Sequence, residues 1–187
     1  HLHSFPTRRS SDLLMCCKDS DAYLQASLYA YKLEPSADAA VGCAAMAFKK
    51  GDIDGSVKFF DEAINLETDN AKKADNAYKA ASVLASAKKL SQARSYAQKA
   101  ISFNENFGAP YILIAQLYAG NYKWNDEPAL NKCTFFAAID KLQRAKAVDP
   151  SVAEEANKLI SSYSAYTPEA KDLFMLGYKA GDRITIG

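Results

Sequence analysis

Helical segments that recur at a nearly constant spacing constrain this 187-residue chain more than any other feature. Residues 59–66 align with residues 96–103 at a shift of 37 positions, which pairs Ala63 with Ala100. In residues 27–35, Ala30 lies 33 positions before Ala63, and both 27–35 and 142–150 close on an acidic residue followed by proline. Because proline cannot continue a helix, each segment reads as a helix that ends at a fixed point. Such a period predicts stacked repeats, with an ordinary helical bundle as the alternative.

A first helix precedes three of these closing helices, over residues 39–50, 75–88 and 110–119. Small and apolar residues recur in them at spacings of three and four, as in Ala40, Cys43, Ala44 and Ala47. Small residues let two helices approach closely, while larger apolar ones fill the remaining gaps. The pattern predicts antiparallel helix hairpins packed side by side.

The turn within a hairpin is clearest at residues 50–56. Gly51 is suited to a positive φ just beyond the first helix, and Asp52 or Asp54 to capping the second. Residues 88–93 occupy the equivalent place, with Ser91 as the expected cap. The equivalence supports a repeat.

At these positions the chain resembles the tetratricopeptide repeat (TPR) family, whose 34-residue unit is a pair of antiparallel helices. The resemblance covers residues 20–152, about 70% of the chain. The third unit is roughly 11 residues longer than the signature between Ala115 and Pro150. The matching residues are Ala44, Gly51, Asp52, Phe60 and Ala63 in the first complete unit, Ala81, Leu84, Ala93 and Ala100 in the second, and Tyr111, Ala115, Tyr118, Ala138, Ala145 and Pro150 in the third.

The resemblance implies an all-α fold, a right-handed α-solenoid of antiparallel helix hairpins, with a short incomplete β element at the C-terminus. We expect TPR-like repeats over residues 14–152. The predicted divisions are a partial unit at 20–36, units at 37–70, 74–107 and 108–152, an insertion near 119–131, capping helices at 153–180 and a strand or hairpin start at 181–187.

The C-terminal region reads as two further helices and a strand. The first helix runs to about Tyr163, and the second begins with Thr167 as N-cap and Pro168 at its first position. Residues 181–187 alternate polar and apolar side chains after a Gly-Asp turn, as a hairpin's first strand would. We expect the chain to be truncated there, because an isolated strand leaves its backbone groups unpaired. The residues expected to cover the end of the solenoid are Leu173, Phe174, Leu176 and Tyr178.

Residues 3–13 resemble the translation of a sequencing adapter, and the alternative is a genuine basic N-terminus. Without residues 1–13 the formal charge of +1 falls to zero. A balanced charge disfavours nucleic acid as a partner, and no apolar run is long enough for a membrane span. The tail resembles the ends of certain bacterial repeat proteins, and both the bacterial cytoplasm and the periplasm stay open as the compartment.

Few residues offer chemistry. Both histidines, His1 and His3, lie in the adapter-like segment, which removes histidine-based nucleophile systems and mixed zinc sites. The cysteines form no C-x-x-C pair, and no glycine-rich phosphate loop is present. We therefore expect no catalytic residues, metal, cofactor or small-molecule substrate. The four cysteines are Cys16, Cys17, Cys43 and Cys133. Lipidation or oxidation of Cys16 and Cys17 is a minor alternative, and Cys43 is expected in the core.

Neighbouring carboxylates provide no better case for catalysis. Asp61 and Glu62 are adjacent in sequence, as are Glu154 and Glu155. Adjacent residues on a helix point about 100° apart, which favours a solvated helix face over an acid-base pair.

The family resemblance implies a surface that binds a protein or peptide on the concave side of the solenoid. An alternative is that the outward residues of the first helices merely face solvent. The mixture of apolar and lysine side chains suggests a ligand with apolar anchors and an acidic group. The expected contact residues are Val41, Ala45, Phe48, Lys49, Tyr78, Lys79, Ser82, Ile112 and Gln116, accompanied by Asp38, Asp75 and Ser86.

One specialised branch of the family grips a C-terminal carboxylate with lysine and asparagine on these helices. Here the equivalent positions hold Val41, Ala45, Tyr78 and Ser82, so that clamp is not expected.

The insertion holds Tyr122 and Trp124, the latter being the one tryptophan of the chain. These aromatic residues are candidates for a partner anchor, and folding back on their own repeat is the alternative that we favour.

The sequence thus predicts a non-catalytic scaffold that binds a protein or peptide. The alternative is an accessory domain of a larger enzyme or cell-envelope complex, which the intact gene would reveal.

Overall fold

The computed structural model describes residues 21–179 and 181–185. The adapter-like segment and the Cys16–Cys17 pair lie outside these residues. The described helices are α1 Asp21–Leu33, α2 Ala37–Lys49, α3 Ile53–Leu66, α4 Asn70–Ser86, α5 Leu90–Phe103, α6 Gly108–Gly120, α7 Pro128–Lys132, α8 Thr134–Val148, α9 Ala153–Ser164 and α10 Ala170–Met175, with a 3-10 turn at Pro150–Val152 between α8 and α9.

The helices pack chiefly against their neighbours along the chain. The most extensive contacts join α2 with α3, α4 with α5, and α6 with α8, which are the two helices of each predicted hairpin. Further contacts link α1 to α2, α3 to α4, α5 to α6, and α8 to α9. An array of this kind is a solenoid, in which each unit is stabilised by the units beside it.

Alanine forms the contact between helices along the whole array. Ala44, Ala81 and Ala115 of the first helices have no exposed surface, and neither have Ala63 and Ala100 of the second helices. We call these five residues the alanine seam. Because a methyl group is small, backbones at the seam approach closely and larger side chains pack around it.

The buried apolar residues form a row of small clusters rather than one core. Phe60 packs with Ala44, Ala80 and Val83, so this cluster joins α2, α3 and α4. The following clusters join α3 to α5 and α4 to α6, around Ile64 and Ile114 respectively. Each cluster therefore ties one repeat to the next.

The turns of the first two complete units are the same structure, 37 residues apart. The Asp52 N–H donates to the Ala47 carbonyl at 2.9 Å, and the Lys89 N–H donates to the Leu84 carbonyl at 2.9 Å. Gly51 has φ 78°, and its counterpart Lys88 has φ 59°.

The two turns differ in how the second helix is capped. The Asp52 carboxylate accepts the Gly55 N–H at 2.8 Å, as the sequence predicted for Asp52 or Asp54. In the next unit Lys89 stands at the N-cap and makes no side-chain capping bond. The expectation that Ser91 is the cap was wrong, because α5 begins at Leu90 and Ser91 lies inside its first turn.

Replacing Lys88 by glycine should stabilise the protein. A left-handed conformation costs a residue with a Cβ about 1–2 kcal/mol, part of which the greater freedom of glycine in the unfolded chain offsets. We expect Lys88→Gly to raise the free energy of unfolding by roughly 0.5–1 kcal/mol in urea denaturation. Lys50 has φ −80°, so Lys50→Gly is the matched control and should destabilise instead. A loss of stability in Lys88→Gly would contradict this account of the turn.

The third unit is closed by Asp149, which follows α8. Its carboxylate accepts the N–H of Gly108, the first residue of α6, at 3.0 Å. It also accepts the Ser151 hydroxyl at 2.6 Å and the Ser151 N–H at 3.1 Å. These bonds, that of the Ser151 hydroxyl foremost, lower the pKa of Asp149. A Cβ on Gly108 would lie 2.5 Å from Cγ2 of Val152 and 2.8 Å from Cβ of Asp149, so only glycine fits here.

Two glycines at opposite ends of α6 provide a matched pair. Gly108→Ala should destabilise the protein by about 1–3 kcal/mol, because α6 must move away from the Asp149 turn. Gly120→Ala should be neutral or slightly stabilising, since no atom lies within 4 Å of its Cβ position. Thermal unfolding followed by circular dichroism measures both, and equal effects would refute the close approach at Gly108.

The C-terminal region differs from the sequence prediction in two respects. Asp182–Thr185 form no strand, which corrects the expected β element as far as the described residues reach. The Lys179 N–H donates to the Asp182 carboxylate at 2.7 Å and Gly181 has φ 96°, so this segment folds as a turn, and no described segment pairs with it.

The end of the solenoid is covered by α9 instead of the last helix. Ala156 is buried against the α6–α8 cluster, with Leu159, Ile160 and Tyr163 packed beside it. Of the residues expected to cover this end, Leu173 and Tyr178 are half-buried. Phe174 and Leu176 are exposed, because the short helix α10 contacts the insertion helix α7 rather than α9.

No helix among the described residues is both long and apolar enough to span a membrane.

Candidate functional site

A groove runs between the first helices of the first two complete units, and we call it the α2–α4 groove. It encloses about 370 Å³. Small residues on α2, Gly42 and Ala45, leave this space open, while Phe60 of α3 lies at its base. Its lining residues are Asp38, Val41, Gly42 and Ala45 from α2, Phe60 and Glu67 from α3 and its C-cap, and Lys72, Asp75, Asn76 and Lys79 from α4.

Several residues that the sequence singled out meet in this groove. Val41, Ala45 and Lys79 line it, together with Asp38 and Asp75. Other predicted contact residues lie beside the groove or farther along the array. Phe48 is exposed near the end of α2, with Lys49 next to it, and Gln116 is exposed on α6.

Tyr78 and its neighbour Ser82 take part in packing within the array. The Tyr78 ring is half-buried and meets the Phe107 ring edge-on, with 5.3 Å between centroids. The Ser82 hydroxyl donates to the Tyr78 carbonyl at 3.0 Å, and that of Ser86 to the Val83 carbonyl at 2.7 Å. The Tyr78 ring thus joins α4 to the residue before α6, whereas both serine hydroxyls bond within α4 itself.

Ile112 is buried, which corrects its predicted outward position. It is only 4% exposed and belongs to the cluster of Tyr111, Ala115 and Leu142. Helix α6 is apolar on nearly all sides, and such a helix is enclosed by its neighbours. The outward-facing pattern of α2 and α4 therefore does not extend to Ile112.

The charged side chains of the groove are mostly paired with each other. Lys79 lies 2.5 Å from the Asp75 carboxylate, and Lys72 lies 3.8 Å from that of Glu67. The Glu67 carboxylate also accepts the N–H groups of Asp69 and Thr68, which lower its pKa. Asp38 has no hydrogen bond or ion pair with any described residue. The groove thus holds three carboxylates and two ammonium groups, a surplus of one negative charge.

This charge balance alters the ligand that the sequence suggested. An acidic group was expected because Lys49 and Lys79 accompany apolar residues, but Lys79 is already neutralised by Asp75. Sequence reasoning also missed Phe60, Glu67, Lys72 and Asn76 as lining residues. The boundary of α4 explains Lys72, since the helix begins at Asn70 and not near residue 75 as predicted.

The carboxylates of Asp61 and Glu62 tie the second helices together on another face of the array. Tyr96 of α5 donates to Asp61 at 2.6 Å, and Lys99 lies 3.1 Å from the same carboxylate. Tyr31 of α1 donates to Glu62. The expectation of a solvated helix face was therefore wrong for this pair, because both side chains are half-buried and bonded to neighbouring helices. Burial, together with the Asp61 bond, raises the pKa of Tyr96 well above its usual range.

Removing the Tyr96 hydroxyl should weaken the array in a pH-dependent way. We expect Tyr96→Phe to cost roughly 1–2 kcal/mol at neutral pH, through the lost bond to a charged acceptor. Since the folded-state pKa is raised, this stabilisation is complete below about pH 10 and is lost as the pH rises above it. Urea unfolding of both proteins should show the difference narrowing above that pH. A constant difference would exclude the assigned role of the hydroxyl.

The insertion after α6 folds back on its own repeat, the alternative favoured from the sequence. The Trp124 indole N–H donates to the buried Thr134 hydroxyl at 3.0 Å, and its main-chain N–H to the Asn131 side chain at 2.8 Å. The Tyr122 ring packs on the Phe135 ring, with 5.6 Å between the ring centroids. The indole N–H of Trp124 is therefore already occupied within the chain.

The described residues contain no group of three or more histidine, cysteine, aspartate or glutamate side chains placed to hold a metal ion. Cys43 and Cys133 are buried free thiols, and burial raises the pKa of each. Cys43 lies in the core, as the sequence predicted.

Comparison with solved structures supports the repeat fold. The chain is similar to MamA in its crystal structure, with a TM-score of 0.57 and 16% sequence identity over 89% of this chain and 94% of that one. The likeness supports the predicted fold, an all-α, TPR-like helical repeat. No protein-family model matches the sequence. No curated protein matches it either.

Proposed function

We propose that this protein is a non-catalytic interaction scaffold that binds a peptide segment of another protein in the α2–α4 groove. The observation that carries the proposal is the groove itself, an open space between two first helices that is lined by both apolar and charged residues. A solenoid commonly uses such a surface for binding, because its buried faces are occupied by stacking.

The lining suits a peptide better than a small molecule. Val41, Ala45 and Phe60 supply apolar surface, while charged residues stand along the α4 side. A peptide offers side chains for the apolar surface and main-chain groups for the polar residues. Phe48, 42% exposed, extends the apolar surface toward the end of α2. Val41, Ala45, Phe48 and Lys79 are thus our proposed contact residues.

The other predicted contact residues have different places in this proposal. Tyr78 and Ser82 belong to α4 beside the groove, and Lys49 and Gln116 stand outside the groove lining, where a longer partner would reach them. Tyr122 and Trp124 stabilise the insertion rather than anchor the partner. Nucleic acid is disfavoured as the partner by the balanced charge of the chain.

A blocked groove should abolish peptide binding without unfolding the protein. Peptides are first selected from a random display library on the immobilised wild-type chain, and their affinities are measured by fluorescence anisotropy. Ala45→Arg places a long side chain in the groove, and we expect it to weaken binding at least tenfold, or about 1.4 kcal/mol. Gln98→Arg, at an exposed position of α5, is the matched control and should bind as the wild type does.

Circular dichroism melting curves establish that both variants stay folded. A library that yields no binding peptide, or peptides that bind Ala45→Arg unchanged, would overturn the proposed function.

A further inference from the structure

The lining of the α2–α4 groove includes a side-chain amide that has no partner among the described residues. Asn76 is only 5% exposed, yet its side chain makes no hydrogen bond with any described residue. Its neighbours in the groove, Asp75 and Lys79, are paired with each other. Side-chain amides of residues this buried usually have a protein partner. The polar atoms of Asn76 are not fully enclosed, so they can bond only to water or to a ligand in the groove.

Asn76 departs from the pattern of the repeat. The 37-residue shift places it opposite Ala39, which is buried in the preceding unit. Alanine at this position satisfies the packing, so the amide of Asn76 adds a polar group that folding does not require. A local departure from an otherwise consistent pattern is typical of a functional position.

The amide is accessible from the groove. Asn76 belongs to the groove lining. The Ser56 hydroxyl also has no partner among the described residues, but it is fully enclosed by the packed helices. A ligand in the groove is therefore able to reach Asn76. The carboxamide offers N–H donors and a carbonyl acceptor side by side. An extended main chain presents the complementary pair, one carbonyl and one N–H.

The charge of the groove indicates a second contact. Asp75 and Glu67 are each paired with a lysine, but Asp38 of α2 has no ionic or hydrogen-bonding partner among the described residues. A ligand with a positive charge would balance it, whereas an acidic ligand would meet a net negative surface.

We propose that the α2–α4 groove binds an extended, basic peptide, with the Asn76 carboxamide hydrogen-bonded to its main chain and Asp38 paired with a lysine or arginine side chain. This inference rests on the proposed function and specifies its ligand. An apolar side chain of the same peptide lies against Val41, Ala45 and Phe60.

The first experiment uses the display library introduced above. Selected peptides should be enriched in lysine or arginine at one position. Asp38→Asn should weaken their binding about tenfold at low salt and reduce the dependence of affinity on ionic strength. Asp54→Asn, which removes a carboxylate outside the groove lining, is the matched control and should leave both quantities unchanged. Selected peptides without a basic position, or unaltered binding to Asp38→Asn, would overturn the charge contact.

The second experiment separates a binding role of Asn76 from a structural one. Asn76→Leu retains most of the volume but removes the amide, so we expect its melting temperature to rise while peptide affinity falls at least tenfold. A merely structural asparagine would instead lower the melting temperature and leave the affinity of the folded protein unchanged. Asn76→Ala should lose the same affinity for the peptide. Because alanine is smaller than asparagine, this variant excludes a steric effect of leucine.

Peptides with one N-methylated amide identify the main-chain contact. Methylation at the position held by Asn76 should weaken binding to the wild type and have no further effect on Asn76→Leu, as in a double-mutant cycle. Equal effects on both proteins at every position would refute the contact. If peptides bind and Ala45→Arg blocks them while Asn76→Leu does not, the groove is the binding site but this inference fails.

Discussion

Close packing of alanine between successive helices is the constraint on which the rest of this structure depends. Ala44, Ala81 and Ala115 are fully buried, as are Ala63 and Ala100. A larger side chain at any of them would separate two helices and shift every unit that follows. Because each apolar cluster spans about three neighbouring helices, stability is the sum of local contacts and not the product of one central core.

The same packing decides where a ligand has room. Stacking uses the inner faces of the helices, so the outer faces of α2 and α4 stay open, and Gly42 and Ala45 keep the space between them clear. Ion pairs along α4 neutralise most of its charge. The third unit has no comparable opening at Ile112, because this side of α6 is packed against α8 and α9. Only part of the array therefore resembles a binding surface.

Local sequence patterns predicted the helix hairpins well. The site was predicted less well, because it depends on contacts between residues that are distant in sequence. Gly51 and Asp52 mark a turn whose geometry depends on a few adjacent residues, and the structure repeats that turn at Lys88. Ile112 was misplaced because its burial depends on α8 and α9, distant in sequence. The ties of Asp61 and Glu62 were missed for the same reason, since their tyrosine partners lie 35 and 31 residues away. The sequence did not single out Asn76, because its lack of a hydrogen-bond partner is a property of the folded structure.

The central claim is that the outer face of α2 and α4 is the binding surface of the solenoid. Amide chemical shifts of the labelled protein, followed by NMR while a selected peptide is added, test it most directly. We expect saturable shifts concentrated at the residues lining the α2–α4 groove, including the side-chain amide of Asn76, with α8 and α9 unaffected. Shifts centred on the face that carries Asp61 and Tyr96, or on the insertion around Trp124, would contradict it.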